Sequence, residues 1–307
     1  MRLREPAAVA LAFLITAGIA AAAPPATIGG SVPSTAGFAE SITTAPTGKT
    51  YYVSSFTTGA VYKGTVGAAA RVFLAAGGNG RTSATGLKLH HGRLYVLTGS
   101  ESHLQVFNAR SGHLELNLAA RGQPGQNLND LAITPSGEVY ITDFTTPRIY
   151  RVKASVIANG RGTITPWLTP NTSTVPDLTT GNLNGIALTD DDRYLIVGQT
   201  GNGALYRIGL SNRAIHRINV HGADLTGSDG ILLIGHTLYV VRHSNAVAVM
   251  RLNTTYTAGH VSQTLTDPSF DLPTSIAPAG NRLLISNALA QSGATTIQIT
   301  SLPGGGS

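Results

Sequence analysis

The chain has 307 residues and a formal net charge of +6, with only 12% of residues charged and no cysteine. The lack of cysteine excludes disulfide scaffolds, thiol nucleophiles and structural cysteine–zinc sites, so a metal would have to sit on oxygen or imidazole. A content of 42% hydrophobic residues excludes wholesale disorder, and the basic residues are spaced singly rather than clustered as a phosphate-tracking surface requires, which argues against a nucleic-acid partner.

From the N-terminus, Met1 to Ala23 reads as a signal peptide: Arg2 and Arg4 precede an apolar run from Ala7 to Ala20 that ends in three alanines, Ala21 to Ala23. The alternative is an uncleaved anchor, against which the run is alanine-rich and shorter than the ~20 residues a span needs. A secreted, periplasmic or extracellular location follows, with no membrane association after cleavage. Residues 24–39 form an N-terminal segment, residues 40–301 a repeated body and residues 302–307 a glycine-rich tail.

The body repeats. Tyr52 to Lys63 (YVSSFTTGAVYK) matches Tyr140 to Arg151 (YITDFTTPRIYR), and the same strand core recurs at Tyr52, Tyr95, Tyr140, Leu195, Tyr239 and Leu284, spaced by 43, 45, 55, 44 and 45 residues. A period of about 40–50 residues carrying several short strands, without helical periodicity, is the pattern of propeller blades. The third unit parses into strands over Leu131–Thr134, Glu138–Phe144, Arg148–Val152 and Thr163–Leu168, and the extra residues of the long spacing fall in a loop between Ala154 and Asn182. The sixth unit is a strand short, so ring closure calls for a strand from within Ala26 to Ser34. The expectation is an all-β, six-bladed propeller of four-stranded antiparallel blades around a channel.

The first strand of each blade lines that channel, and aligning back from the anchors places Glu40, Thr85, Asn129, Asn184, Asp229 and Thr274 at equivalent positions. All six carry a side-chain oxygen. Two carboxylates and two amides at one level of a narrow channel call for a cation. Asn184-Gly185 and Asp229-Gly230 are also ordinary turn dipeptides. However, the turns joining first to second strands are already supplied by segments such as Pro135-Ser136-Gly137 and Asp190-Asp191-Asp192, further along each unit.

Over residues 37–301 this ordered set resembles the gluconolactonase and regucalcin (senescence marker protein) family of six-bladed propellers, relatives of the paraoxonases and strictosidine synthases. The resemblance implies one divalent ion held by Glu40, Asn184 and Asp229, with Asn129 either on the ion or touching substrate. The ion would be Ca²⁺ first, with Zn²⁺, Mg²⁺ or Mn²⁺ as alternatives. The chain departs from the family pattern at Ser41-Ile42-Thr43 and at Asn127, where the family often has arginine. The paraoxonase histidine pair also has no counterpart, since the comparable position reads Thr98-Gly99-Ser100.

An open ion on oxygen ligands suits a metal-dependent hydrolase of lactones, with Asp229 as the catalytic base by family analogy and the partner a small molecule. The ends of the second strands are expected to wall the pocket, giving Asn129, Asp143, Gln199, Arg242 and His243 as substrate-binding candidates beside Ser55, Phe56, Thr98, Phe144 and Asn287. Arg242 would hold a substrate carboxylate and His243 would relay a proton. No Gly-x-Ser-x-Gly nucleophile elbow is present. The competing expectation is a non-catalytic secreted propeller that binds a small molecule or a protein, with the ion as a structural pin. A monomer is expected in either case.

Overall fold

A computed structural model describes residues 27–121, 125–170, 182–290, 294 and 296–303. The expected leader at 1–23 and residues 304–307 lie outside this set. Six sheets follow one another along the chain, five of four strands and one of five, all built from antiparallel neighbours apart from one short parallel addition. The first blade comprises Ala39–Thr44, Thr50–Ser55, Val61–Thr65 and Arg71–Leu74. The inner strands of the next four are Leu87–His90, Leu128–Ile133, Leu183–Leu188 and Ser228–Ile234. The protein is a six-bladed β-propeller.

The sixth blade runs Pro273–Ala279, Arg282–Asn287 and Thr296–Pro303, and its fourth strand is Thr27–Pro33 from the other end of the chain. Thr27 pairs with Ser301 and Pro33 with Thr296, joining the two ends in one sheet. The last strand extends past the boundary expected at 301, because Leu302 and Pro303 pair with Leu283 and Arg282. The insertion after the third blade's inner strands is not all loop: Ala154–Asn159 forms a short α-helix. Residues 171–181 of the insertion are outside the described set.

The repeated anchors are buried because both faces of every sheet are covered by neighbouring blades, so alternate residues of a strand pack in opposite directions. Tyr51 and Val53 join Leu284 and Ile299 of the sixth blade, while Tyr52 between them joins Leu87, Leu94 and Phe107 of the second. This two-sided burial is why the second strands read as near-continuous apolar runs rather than alternating ones.

The inner strands are also latched by hydroxyls. Ser54 Oγ donates to Thr85 O (2.7 Å), Thr85 Oγ1 to Leu128 O (2.7 Å), Thr142 Oγ1 to Asn184 O (2.7 Å) and Thr274 Oγ1 to Ala39 O (3.1 Å). Thr85 and Thr274 thus give their hydroxyls to neighbouring backbone, and four of the six aligned channel positions remain for other work.

Candidate functional site

Glu40, Asn129, Asn184 and Asp229 share a local backbone irregularity. In their four blades the pairing of first and second strands skips between Ala39 and Ile42, Leu128 and Leu131, Leu183 and Ile186, and Ser228 and Ile231. Each site residue is the first of the two that the skip releases from the ladder. Such bulges free a residue and re-aim its side chain, and here the four converge on one constriction of the channel.

Asn184-Gly185 and Asp229-Gly230 therefore lie inside strands, not in turns. Their glycines are required by close approach of adjacent inner strands: a Cβ on Gly230 would lie 2.8 Å from Thr274 O, and one on Gly185 would collide with Asp229 O.

The floor side chains act on one another in pairs: the Asn129 amide favours the charged form of Glu40 and the Asn184 amide that of Asp229, while Asn184 Nδ2 donates to Thr200 Oγ1 (3.1 Å). His243 Nε2 lies 2.7 Å from Asp229 Oδ2. A third carboxylate, Asp130, is buried beside them but is committed to backbone: it accepts from Leu131 N (2.8 Å) and Ile186 N (3.2 Å). Among the described residues no three histidine, aspartate or glutamate side chains form a metal-binding group on their own. A cation here would rest on two carboxylates and two amide oxygens.

Burial pushes the Glu40 carboxyl well above the usual carboxylate range, reinforced by the charges of Asp229 and Asp130 and opposed by the Asn129 hydrogen bond. Asp229 is raised by burial too, with the His243 hydrogen bond pulling it back. His243 is raised, first by its hydrogen bond to Asp229 and against the effect of its own burial. Negative charge is thus crowded at the floor and only partly compensated. That donor set suits a hard divalent cation, which replaces the protons the carboxylates otherwise retain.

Above the floor opens a cavity of about 200 Å³ lined by Phe38, Phe56, Asn127, Phe144 and His243 together with the four floor residues. The repeat builds its wall: the residue just past a second strand pairs with the residue two before the floor position. Phe56 N donates to Phe38 O (2.8 Å), Phe144 N to Asn127 O (2.8 Å) and His243 N to Gly227 O (3.0 Å). Phe38 was not expected in the wall. The signal that identifies it is its place two residues before Glu40, the repeat position that Asn127 and Gly227 hold before Asn129 and Asp229.

Three of the expected substrate contacts, Asp143, Gln199 and Arg242, do not line this cavity. Asp143 is fully buried and saturated: Oδ1 accepts from the amides of Asn127, Thr145 and Thr146, and Oδ2 from Thr146 Oγ1 (2.6 Å) and Tyr150 OH (3.2 Å). Gln199 is buried at the equivalent position, its Oε1 accepting from Tyr206 OH (3.2 Å). Both secure the bend between second and third strands, as Ser55 and Thr98 do by accepting from Thr58 N and His103 N. Arg242 turns away from the cavity to Asp224 Oδ2 (3.3 Å) and Thr226 O (3.4 Å). Asn129 and His243 do line the cavity.

No protein-family model and no curated protein matches the sequence. Solved structures do. A gluconolactonase, XC5397 from Xanthomonas campestris, is 17% identical with a TM-score of 0.61, covering 92% of this chain and 99% of its own. The calcium-binding protein regucalcin from Agrobacterium tumefaciens is 18% identical with a TM-score of 0.61, covering 87% and 90%. Virginiamycin B lyase from Staphylococcus aureus is 16% identical with a TM-score of 0.58, covering 81% and 78%. The chain therefore shares its fold with gluconolactonase- and regucalcin-like propellers, as the sequence resemblance implied.

Proposed function

We propose that the protein is a secreted, monomeric hydrolase that depends on a divalent cation in the channel and opens lactones or related cyclic esters. The observation that carries the reading is the meeting of two carboxylates, half-buried Glu40 and buried Asp229, with two amides at the floor of an open cavity. Glu40, Asn129, Asn184 and Asp229 would hold the cation, Ca²⁺ by the hardness of the donors and by analogy with the calcium-binding neighbour. The donors fit it because they concentrate charge that burial otherwise disfavours. When bound, such an ion polarises an ester carbonyl and stabilises the charge that develops on its oxygen, an effect of several kcal/mol.

The chain's own residues supply orientation and proton transfer. Asp229 is almost enclosed, whereas His243 retains 35% side-chain exposure against 6% for Asp229. Water in the cavity therefore reaches the pair at its imidazole edge. Asp229 would accept a proton from the attacking water; with His243 as the neutral imidazole, Nε2 takes that proton from Asp229 as Nδ1 gives up its own toward the mouth. Phe38, Phe56 and Phe144 restrict bulk water above the floor. The gluconolactonase and virginiamycin B lyase neighbours are named for small-molecule reactions, which supports small-molecule chemistry at this mouth.

The test is proton release from a panel of lactones with Ca²⁺ and then with excess chelator. Chelator-sensitive turnover is expected, abolished in Asp229→Ala and reduced less in His243→Ala. Full activity of Asp229→Ala overturns the reading. A folded, ion-binding protein that turns over no lactone leaves the non-catalytic binding propeller as the better description.

A further inference from the structure

The wall of the cavity points to a substrate class. Three aromatic rings surround the floor: Phe38 and Phe56 meet edge to face with centroids 6.0 Å apart, and Phe144 stands on the third blade. Phe56 is 43% exposed, a large apolar side chain left in solvent at the mouth of a cavity that opens onto the four floor residues. Isolated exposed apolar residues need no explanation, but three converging on a polar floor make an apolar collar.

Charge points the same way. The arginine at the rim is withdrawn, since Arg242 pairs with Asp224, and the residue beside Phe144 in the wall, Asn127, is uncharged. The basic side chain that lines the cavity, His243, is bound to Asp229. A substrate carboxylate would thus meet a floor whose two carboxylates already balance the charge of a divalent cation, with no free basic side chain among the described residues that line the cavity. A polyol chain would give up water at each hydroxyl set against a phenyl face, a cost that an apolar substituent does not carry.

We infer that the site takes uncharged substrates bearing an apolar alkyl or aryl substituent, held by Phe38, Phe56 and Phe144 over the metal floor, and discriminates against sugar lactones and carboxylate-bearing ones. This rests on the hydrolase reading for the identity of the reacting group, but not for the preference, which is a binding property. The experiment therefore separates the two. Calorimetry with Ca²⁺-loaded protein compares lactams, which resist opening, that carry a phenyl group, a polyhydroxylated chain or a carboxylate on the same ring.

The phenyl lactam should bind at least about tenfold more tightly than the other two, and Phe56→Ser and Phe144→Ser should each remove most of that margin without changing Ca²⁺ affinity, because aromatic contacts add to binding beyond the area they bury. Equal binding of the three lactams, tighter binding of the polyhydroxylated one, or no binding of any, overturns the inference even if lactones are hydrolysed. A phenyl preference without turnover of the matching lactone sustains the inference and refutes the hydrolase reading.

Discussion

Replacing Asp229 by asparagine keeps the shape of the floor and removes one of its two coordinating charges. In ion-free protein two effects oppose each other. Two unit charges about 5 Å apart at an effective dielectric constant of about 20 repel by about 3 kcal/mol, and relief of the Glu40–Asp229 repulsion is of this order at most, because part of it is already relieved by protonation. Against it stands the charge-assisted hydrogen bond to His243 at 2.7 Å, worth about 1.5–3 kcal/mol. The two nearly cancel, so Asp229→Asn in chelator should unfold within about 2 kcal/mol of the unsubstituted protein.

With cation the outcomes diverge. At a hundredfold excess over Kd, ligand binding stabilises the native state by about 2.7 kcal/mol, and the variant should lose nearly all of this. Urea or thermal unfolding with and without Ca²⁺ measures both quantities. In the same variant the His243 pKa, followed by NMR, should fall, because its largest upward influence has been removed. An Asp229→Asn protein that keeps the full Ca²⁺-dependent increment would refute the placement of the ion between Glu40 and Asp229.

Three further outcomes follow from the same contacts. Since Glu40 and Asp229 have folded-state pKa values above their unfolded ones, ion-free stability from these groups is fully present below the ordinary carboxylate range of about 4 and is lost as pH rises through the raised values; unfolding in chelator should show this decline, and saturating Ca²⁺ should abolish it. Thr142→Val leaves the buried carbonyl of Asn184 and the amide of Asp130 without their hydroxyl partner, which should cost about 1–3 kcal/mol in denaturant unfolding and weaken Ca²⁺ binding measured by calorimetry. Deleting residues 27–33 strips the outer partner from Thr296–Pro303 and exposes a strand edge, so a lower Tm and concentration-dependent association in light scattering are expected.

The blade count was legible because it is written in a period. Each second strand is buried on both faces, so Tyr52, Tyr95, Tyr140, Leu195, Tyr239 and Leu284 had to be apolar and had to recur at blade spacing. The floor was legible for the same reason: Glu40, Asn129, Asn184 and Asp229 keep register with those anchors, and register survives from sequence into space in a ring of equivalent blades. Even there the sequence left Asn-Gly and Asp-Gly open as turn pairs. Only the pairing of the strands shows them as bulge residues, with Gly185 and Gly230 demanded by a neighbouring blade.

The direction in which a polar side chain turns was not legible. Asp143, Gln199 and Arg242 occupy the same repeat position as Ser55 and Thr98, and their residue types suit a binding pocket. Asp143 and Gln199 instead face bends that leave unpaired groups to satisfy, and Arg242 finds Asp224 across a loop. The sequence by itself determined the number of blades and the residues placed at their inner ends, because both depend on local spacing repeated along the chain. The tertiary structure alone decided which of those residues face the channel, which serve the backbone, and that three phenylalanines collar the floor, because these depend on partners brought from other blades.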